Sequence, residues 1–108
     1  MTDELVTTLL DRADGTARLI VTGEIDFATA PLLREAIDNA LTSDTTLVID
    51  LRAVTYLDSA GIDVLFEQAE RRTIELAVNP RGPVLRILRI SGLVQAVPVH
   101  EHKADADS

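Results

Sequence analysis

Along the chain, stretches of β-branched and apolar residues give way to apolar positions at helical spacing, and the alternation then repeats. Val6 to Leu10 and Ala17 to Gly23 are rich in Val, Thr, Ile and Leu, with the hairpin-type turn signal Asp14-Gly15 between them. An opening β-hairpin is predicted. Leu32, Leu33, Ala36, Ile37, Ala40 and Leu41 then recur at the helical period, with Thr29 or Ala30 available as cap and Pro31 tolerated in the first turn. This is an amphipathic helix. Thr45 to Leu51 contains the unbroken run Leu47-Val48-Ile49, as expected of a central strand covered on both faces.

The same succession repeats after Asp58. A polar cap position precedes Ile62, Leu65, Phe66 and Ala69 on one helical face, and Arg71-Arg72 supply positive charge where a helix C-terminus favours it. Thr73 to Val78 alternates as a strand, and Asn79 to Pro83 is turn chemistry leading to a third helix from about Pro83 to Ser91. Gly92 suits a left-handed C-cap, Val94 to Val99 reads as a last strand, and Pro98 assigns that strand to an edge. The expected order is ββαβαβαβ, an α/β fold with an N-terminal β-hairpin, a mostly parallel sheet and helices packed on it. A single domain over residues 1–100 is expected, followed by a frayed polar tail over residues 101–108. No internal repeat or linker interrupts it.

Composition narrows the function classes. The 108 residues suit one hydrophobic core, and 46% hydrophobic against 26% charged residues is enough to fold. With no Cys, there are no disulfides, thiolate metal sites or cysteine nucleophiles. The start Met1-Thr2-Asp3-Glu4 has the wrong charge for a signal peptide, and no apolar run approaches the roughly 20 residues of a membrane helix, so a cytoplasmic chain is expected. Its net charge of -8 repels phosphate backbones and anionic lipid, and its nine Arg residues do not cluster. Neither nucleic acid nor membrane is an expected direct partner.

In open α/β sheets, function gathers in the loops at the carboxyl ends of the strands. Two such segments are acidic: Gly23-Glu24-Ile25-Asp26, and Tyr56-Leu57-Asp58-Ser59-Ala60-Gly61 entering the second helix. The second places a Ser hydroxyl at or beside a helix N-terminus, where unpaired N–H groups and the helix dipole tolerate a phosphate. Ser59 is a candidate phosphoacceptor. Either Ser59 or Asp58 could equally be no more than an N-cap.

The run Leu57-Asp58-Ser59-Ala60-Gly61-Ile62 after the strand, together with Gly23-Glu24-Ile25-Asp26 before the first helix, resembles a STAS domain of the bacterial anti-sigma factor antagonist type. The resemblance extends over nearly the whole chain and includes Ser91-Gly92-Leu93 before the last strand. It implies a binding module under phosphorylation control. The unphosphorylated form would bind an anti-sigma factor that is itself a serine kinase, releasing the sigma factor. Phosphorylation of Ser59 would end the binding, and a PP2C-type phosphatase would restore it. Carried over, Ser59 is the acceptor, with Asp26, Asp58, Gly61 and Asp63 around it. Asp63 departs from the many relatives with a small residue there and adds negative charge. An alternative within the same family is a scaffold subunit of a larger stress-sensing or lipid-transport assembly without a phospho-switch.

Enzymatic readings find little support. A hydrolase elbow of the form Gly-x-Ser-x-Gly is missing because Leu57 occupies the first Gly position, and His100 and His102 fall at the terminus, where they also form no ligand set for a metal. A receiver domain would need a late Lys within the fold, yet Lys103 is in the tail, and no Gly-rich loop with a Lys supports nucleotide binding. No cofactor or metal is expected. Thr55 and Ser91 are further exposed hydroxyls, but neither follows an acid at a predicted helix start. Val64, on the second helix, is read as core in preference to interface.

Overall fold

Among the described residues, five strands form one sheet in the order β1-β2-β3-β4-β5, with β1 antiparallel to β2 and all other neighbours parallel. The computed structural model describes residues 5–11, 15–40 and 46–102. Its elements are β1 (Leu5–Asp11), β2 (Thr16–Ile25), α1 (Ala30–Ala40), β3 (Thr46–Leu57), α2 (Ser59–Arg71), β4 (Ile74–Val78), α3 (Val84–Ser91), a 3₁₀ turn (Leu93–Gln95) and β5 (Val99–Glu101). The expected α/β order is present. Gly15 has the left-handed φ of +86° that a tight hairpin connection favours, whereas Asp14, Leu41 and most of the polar tail lie outside the described residues.

Alternation places Ala17, Leu19 and Val21 of β2 and Leu47, Ile49 and Leu51 of β3 in the core, where they meet Leu33 and Ile37 of α1 and Leu65 of α2. Val64 is also fully buried, so it is core. The opposite sheet face holds a buried charge. Asp50, 2% exposed, accepts from Arg18 Nη2 at 3.0 Å and Arg52 Nη2 at 2.9 Å, and its Oδ1 accepts from the Arg52 main-chain N–H at 3.0 Å. Burial alone would raise the Asp50 carboxyl. The Arg52 hydrogen bonds and the charges of both guanidiniums outweigh it and hold the carboxyl below its usual value.

Three elements differ from the sequence expectation. Strand β3 does not stop at Leu51 but continues to Leu57, and β2 continues past Gly23 to Ile25. Two register shifts accompany the extension: Ile20 pairs with Asp50 but Thr22 with Ala53, and Gly23 pairs with Val54 but Glu24 with Tyr56. Each shift inserts one extra residue in β3 and reverses which parity faces the core. Buried positions therefore run Leu47, Ile49, Leu51, Val54, Leu57, and the last spacings of three hide the strand from a search for alternation.

The third difference is the last strand, which starts at Val99 instead of Val94. Leu93 and Val97, four residues apart, both turn into the core through the 3₁₀ turn, and Pro98 has no N–H to donate. Its carbonyl accepts from Leu76 N at 2.9 Å, after which Val99, His100 and Glu101 pair with β4. Glu101 and His100 thus belong to a strand, not to a frayed end, and His102 N donates to Val78 O at 2.8 Å. His100 Nε2 also meets Glu75 Oε1 at 2.9 Å. Pairing to β4 outweighs terminal fraying here.

Candidate functional site

The lengthened β2 and β3 end side by side, with Ile25 opposite Leu57, and Asp58 N donates to Ile25 O at 3.1 Å. This carries the turn before α1 and the start of α2 to one corner of the sheet's carboxyl edge. Sequence reading placed these residues in two loops. The loop proper is short, because Gly23, Glu24 and Ile25 belong to β2 while Tyr56 and Leu57 belong to β3.

At the second corner position, Asp58 is the N-cap of α2. Its backbone is extended, and its Oδ1 accepts from Ala60 N at 2.9 Å. The cap role therefore falls to Asp58, leaving Ser59 as the first helical residue. Ser59 is exposed, and no hydrogen bond among the described residues uses its hydroxyl. By contrast, Ser91 Oγ donates to Leu88 O at 3.0 Å and accepts from Leu93 N at 3.2 Å, and Thr55 Oγ1 lies 3.4 Å from Gly23 O. Of the hydroxyls considered, only that of Ser59 stands on a helix N-terminus without a partner.

Asp63 is exposed four residues after Ser59, on the same helical face. Gly61 lies on the buried side. A Cβ there would stand 2.5 Å from Ile25 Cγ2 and closer still to Leu57 Cδ1, so only a glycine lets α2 start against the ends of β2 and β3. It seats the start of α2, and with it Ser59. Gly61→Ala is expected to lose about 2 kcal/mol of stability, since overpacking outweighs the roughly 1 kcal/mol that Ala gains in helix propensity. Urea unfolding would check this; an unchanged midpoint would mean that the seat is loose.

Asp26 organises the first corner. Its Oδ1 accepts from Ala28 N at 2.9 Å and Thr29 N at 3.0 Å, while its own N–H donates to Thr29 Oγ1 at 2.9 Å. Thr29 Oγ1, buried, donates to Glu24 O at 2.8 Å. This reciprocal side-chain and main-chain arrangement caps the entry to α1 and locks the turn. Asp26 is a structural cap as well as a nearby carboxylate. The turn also displays Phe27, 85% exposed, which sequence reading missed. Its only signal was an aromatic residue between an acid and a helix-start Thr, outside every apolar period.

No ion pair among the described residues involves Glu24, Asp26, Asp58 or Asp63, so among the described residues these four carboxylates stand without a paired cation. Among the described residues no group of three or more His, Asp or Glu side chains could hold a metal ion, and no helix is long and apolar enough to cross a membrane. The arrangement can present an unengaged hydroxyl, flanked by carboxylates, to a partner surface.

The STAS domain pattern matches residues 9–106. The anti-sigma-F factor antagonist RsfB of Mycobacterium tuberculosis is 39% identical over 87 residues, which cover 78% of this chain and 70% of that protein. The crystal structure of an anti-sigma factor antagonist from Mycobacterium paratuberculosis superposes with a TM-score of 0.83 at 31% identity, covering 95% of this chain and 91% of that one. The unphosphorylated form of the anti-sigma factor antagonist SpoIIAA gives a TM-score of 0.67 at 19% identity, covering 90% of each chain. That last likeness bears on the fold alone.

Proposed function

Because this chain belongs to the STAS domain family, with anti-sigma factor antagonists as its relatives, we propose that it binds an anti-sigma factor and that phosphorylation of Ser59 switches the binding off. The observation that carries this reading is the division of labour at α2: Asp58 makes the cap, so the Ser59 hydroxyl is left exposed and unengaged. The partner is an anti-sigma factor with serine kinase activity, which supplies the ATP chemistry. This chain supplies the acceptor oxygen, and a PP2C-type phosphatase removes the phosphate. Binding takes place in the cytoplasm, where sigma factors meet RNA polymerase, and the chain itself acts as a binding module with no catalytic residue.

The switch is electrostatic. A phosphate adds roughly -1.5 to -2 charges beside Asp58 and on the helical face of Asp63. The helix N-terminus accommodates that charge within this chain, so folding changes little. A partner surface shaped for a neutral hydroxyl must instead desolvate a dianion.

The test is site mapping by mass spectrometry after incubation with Mg-ATP and each kinase-type anti-sigma factor of the source cell, with Ser59→Ala in parallel. One phosphate on Ser59 in the wild type and none in the variant is the expected result. Binding without phosphate transfer would overturn the switch and leave a constitutive antagonist. Absence of binding to every anti-sigma factor would overturn the antagonist reading in favour of a scaffold subunit.

A further inference from the structure

We propose that Phe27 is the apolar anchor of the partner interface, inserting into a hydrophobic pocket of the anti-sigma factor beside the surface that receives the Ser59 hydroxyl. The inference rests on the antagonist reading above and adds the residue that supplies its affinity. At 85%, Phe27 is the most exposed of the large hydrophobic side chains among the described residues, and a ring left that open forgoes the burial that favours Phe in a core. It gains nothing for this chain's own folding. Its position is nonetheless held firmly. The neighbours on either side, Asp26 and Ala28, both take part in the hydrogen-bonded turn with Thr29, and Thr29 is tied in turn to Glu24 O at 2.8 Å. A rigid turn carrying a free aromatic has already met the ordering cost that binding would otherwise impose.

Continuity with the phosphoacceptor is given by the main chain. Ile25 O, two residues before Phe27, accepts from Asp58 N, the residue before Ser59. The corner thus combines one apolar anchor with a rim of Glu24, Asp26, Asp58 and Asp63. An interface of this kind gains affinity from the aromatic and takes its specificity from the charges. The partner chemistry that fits is an apolar pocket bordered by basic groups. Phosphate on Ser59 would then disturb the same contact that Phe27 anchors.

The test titrates the anti-sigma factor identified by the mapping experiment with wild type, Phe27→Ala, Phe27→Leu and the control Ile90→Ala, whose side chain is 76% exposed on α3, outside this corner. Phe27→Ala is expected to weaken binding at least about tenfold and Phe27→Leu by less, with Ile90→Ala unchanged and the thermal midpoint of every variant within about 2 °C of wild type. Phe27→Ala binding within about twofold of wild type overturns the anchor while leaving the antagonist reading intact. Equal losses at Phe27 and Ile90 overturn it as well, since general apolar adhesion would explain both. A wild type that binds no anti-sigma factor overturns both readings.

Discussion

Ser59→Asp is expected to weaken binding to the anti-sigma factor about a hundredfold, whereas Ser59→Ala stays within a few-fold of wild type and can no longer be switched. The two variants separate charge from hydroxyl. Placing a carboxylate at the first position of α2 adds a third negative group to those of Asp58 and Asp63, with Asp26 on the adjoining turn. Desolvating an added anion where the partner receives a neutral hydroxyl costs several kcal/mol, and about 3 kcal/mol corresponds to about two decades in Kd. The same substitution should leave the fold unharmed or raise its stability by about 0.5 kcal/mol, because an acid in the first turn complements the helix dipole. Calorimetric titration and urea unfolding measured on the same preparations give the two readouts. Wild-type affinity in the Asp variant would remove the electrostatic account of the switch. A loss of affinity that tracks a loss of stability would remove it too.

The second large effect concerns the other face of the sheet. Asp50→Ala is expected to destabilise the fold by about 3 kcal/mol, because it removes the buried acceptor that the Arg18 and Arg52 guanidiniums and the Arg52 main-chain N–H now share. The value sits at the low end for a broken buried pair, since both arginine side chains are about a fifth exposed and can reach water (21% and 23%). The pH dependence follows from the lowered carboxyl. A group whose folded-state pKa lies below its unfolded value stabilises the fold fully above the unfolded value, and loses that contribution as pH falls through the folded one. The gap in unfolding free energy between wild type and Asp50→Asn should therefore stay constant from about pH 8 down to about pH 5 and close progressively below about pH 4. A gap that widens in acid would contradict the arrangement. Binding to the anti-sigma factor should be unaffected in the folded Asn variant, because Asp50 lies on the sheet and not at the corner.

Much of this molecule is legible in its sequence. The α1 and α2 faces, the strand at Thr73 to Val78, and the Gly92 cap with its φ of +86° all follow from local rules, in which period, cap and turn residues agree. Ser59 was legible as well, though sequence alone left it sharing the cap role with Asp58. The last strand was misplaced because Val94 to Val99 carries β-branched residues that propensity favours as a strand, while the tertiary core drew in Leu93 and Val97 through a turn.

Residues close together in the chain suffice for the alternation of strands and helices, the acidic balance of charge, and a serine at the start of a helix. Only the tertiary structure decided three further things. Two register shifts between β2 and β3 carried the sheet on to Leu57, the close approach of Ile25 and Leu57 made Gly61 necessary, and Asp58 took the cap so that Ser59 was left free. Each depends on a neighbour some thirty residues away or on a choice between adjacent groups that only geometry resolves, and no local pattern records such a choice.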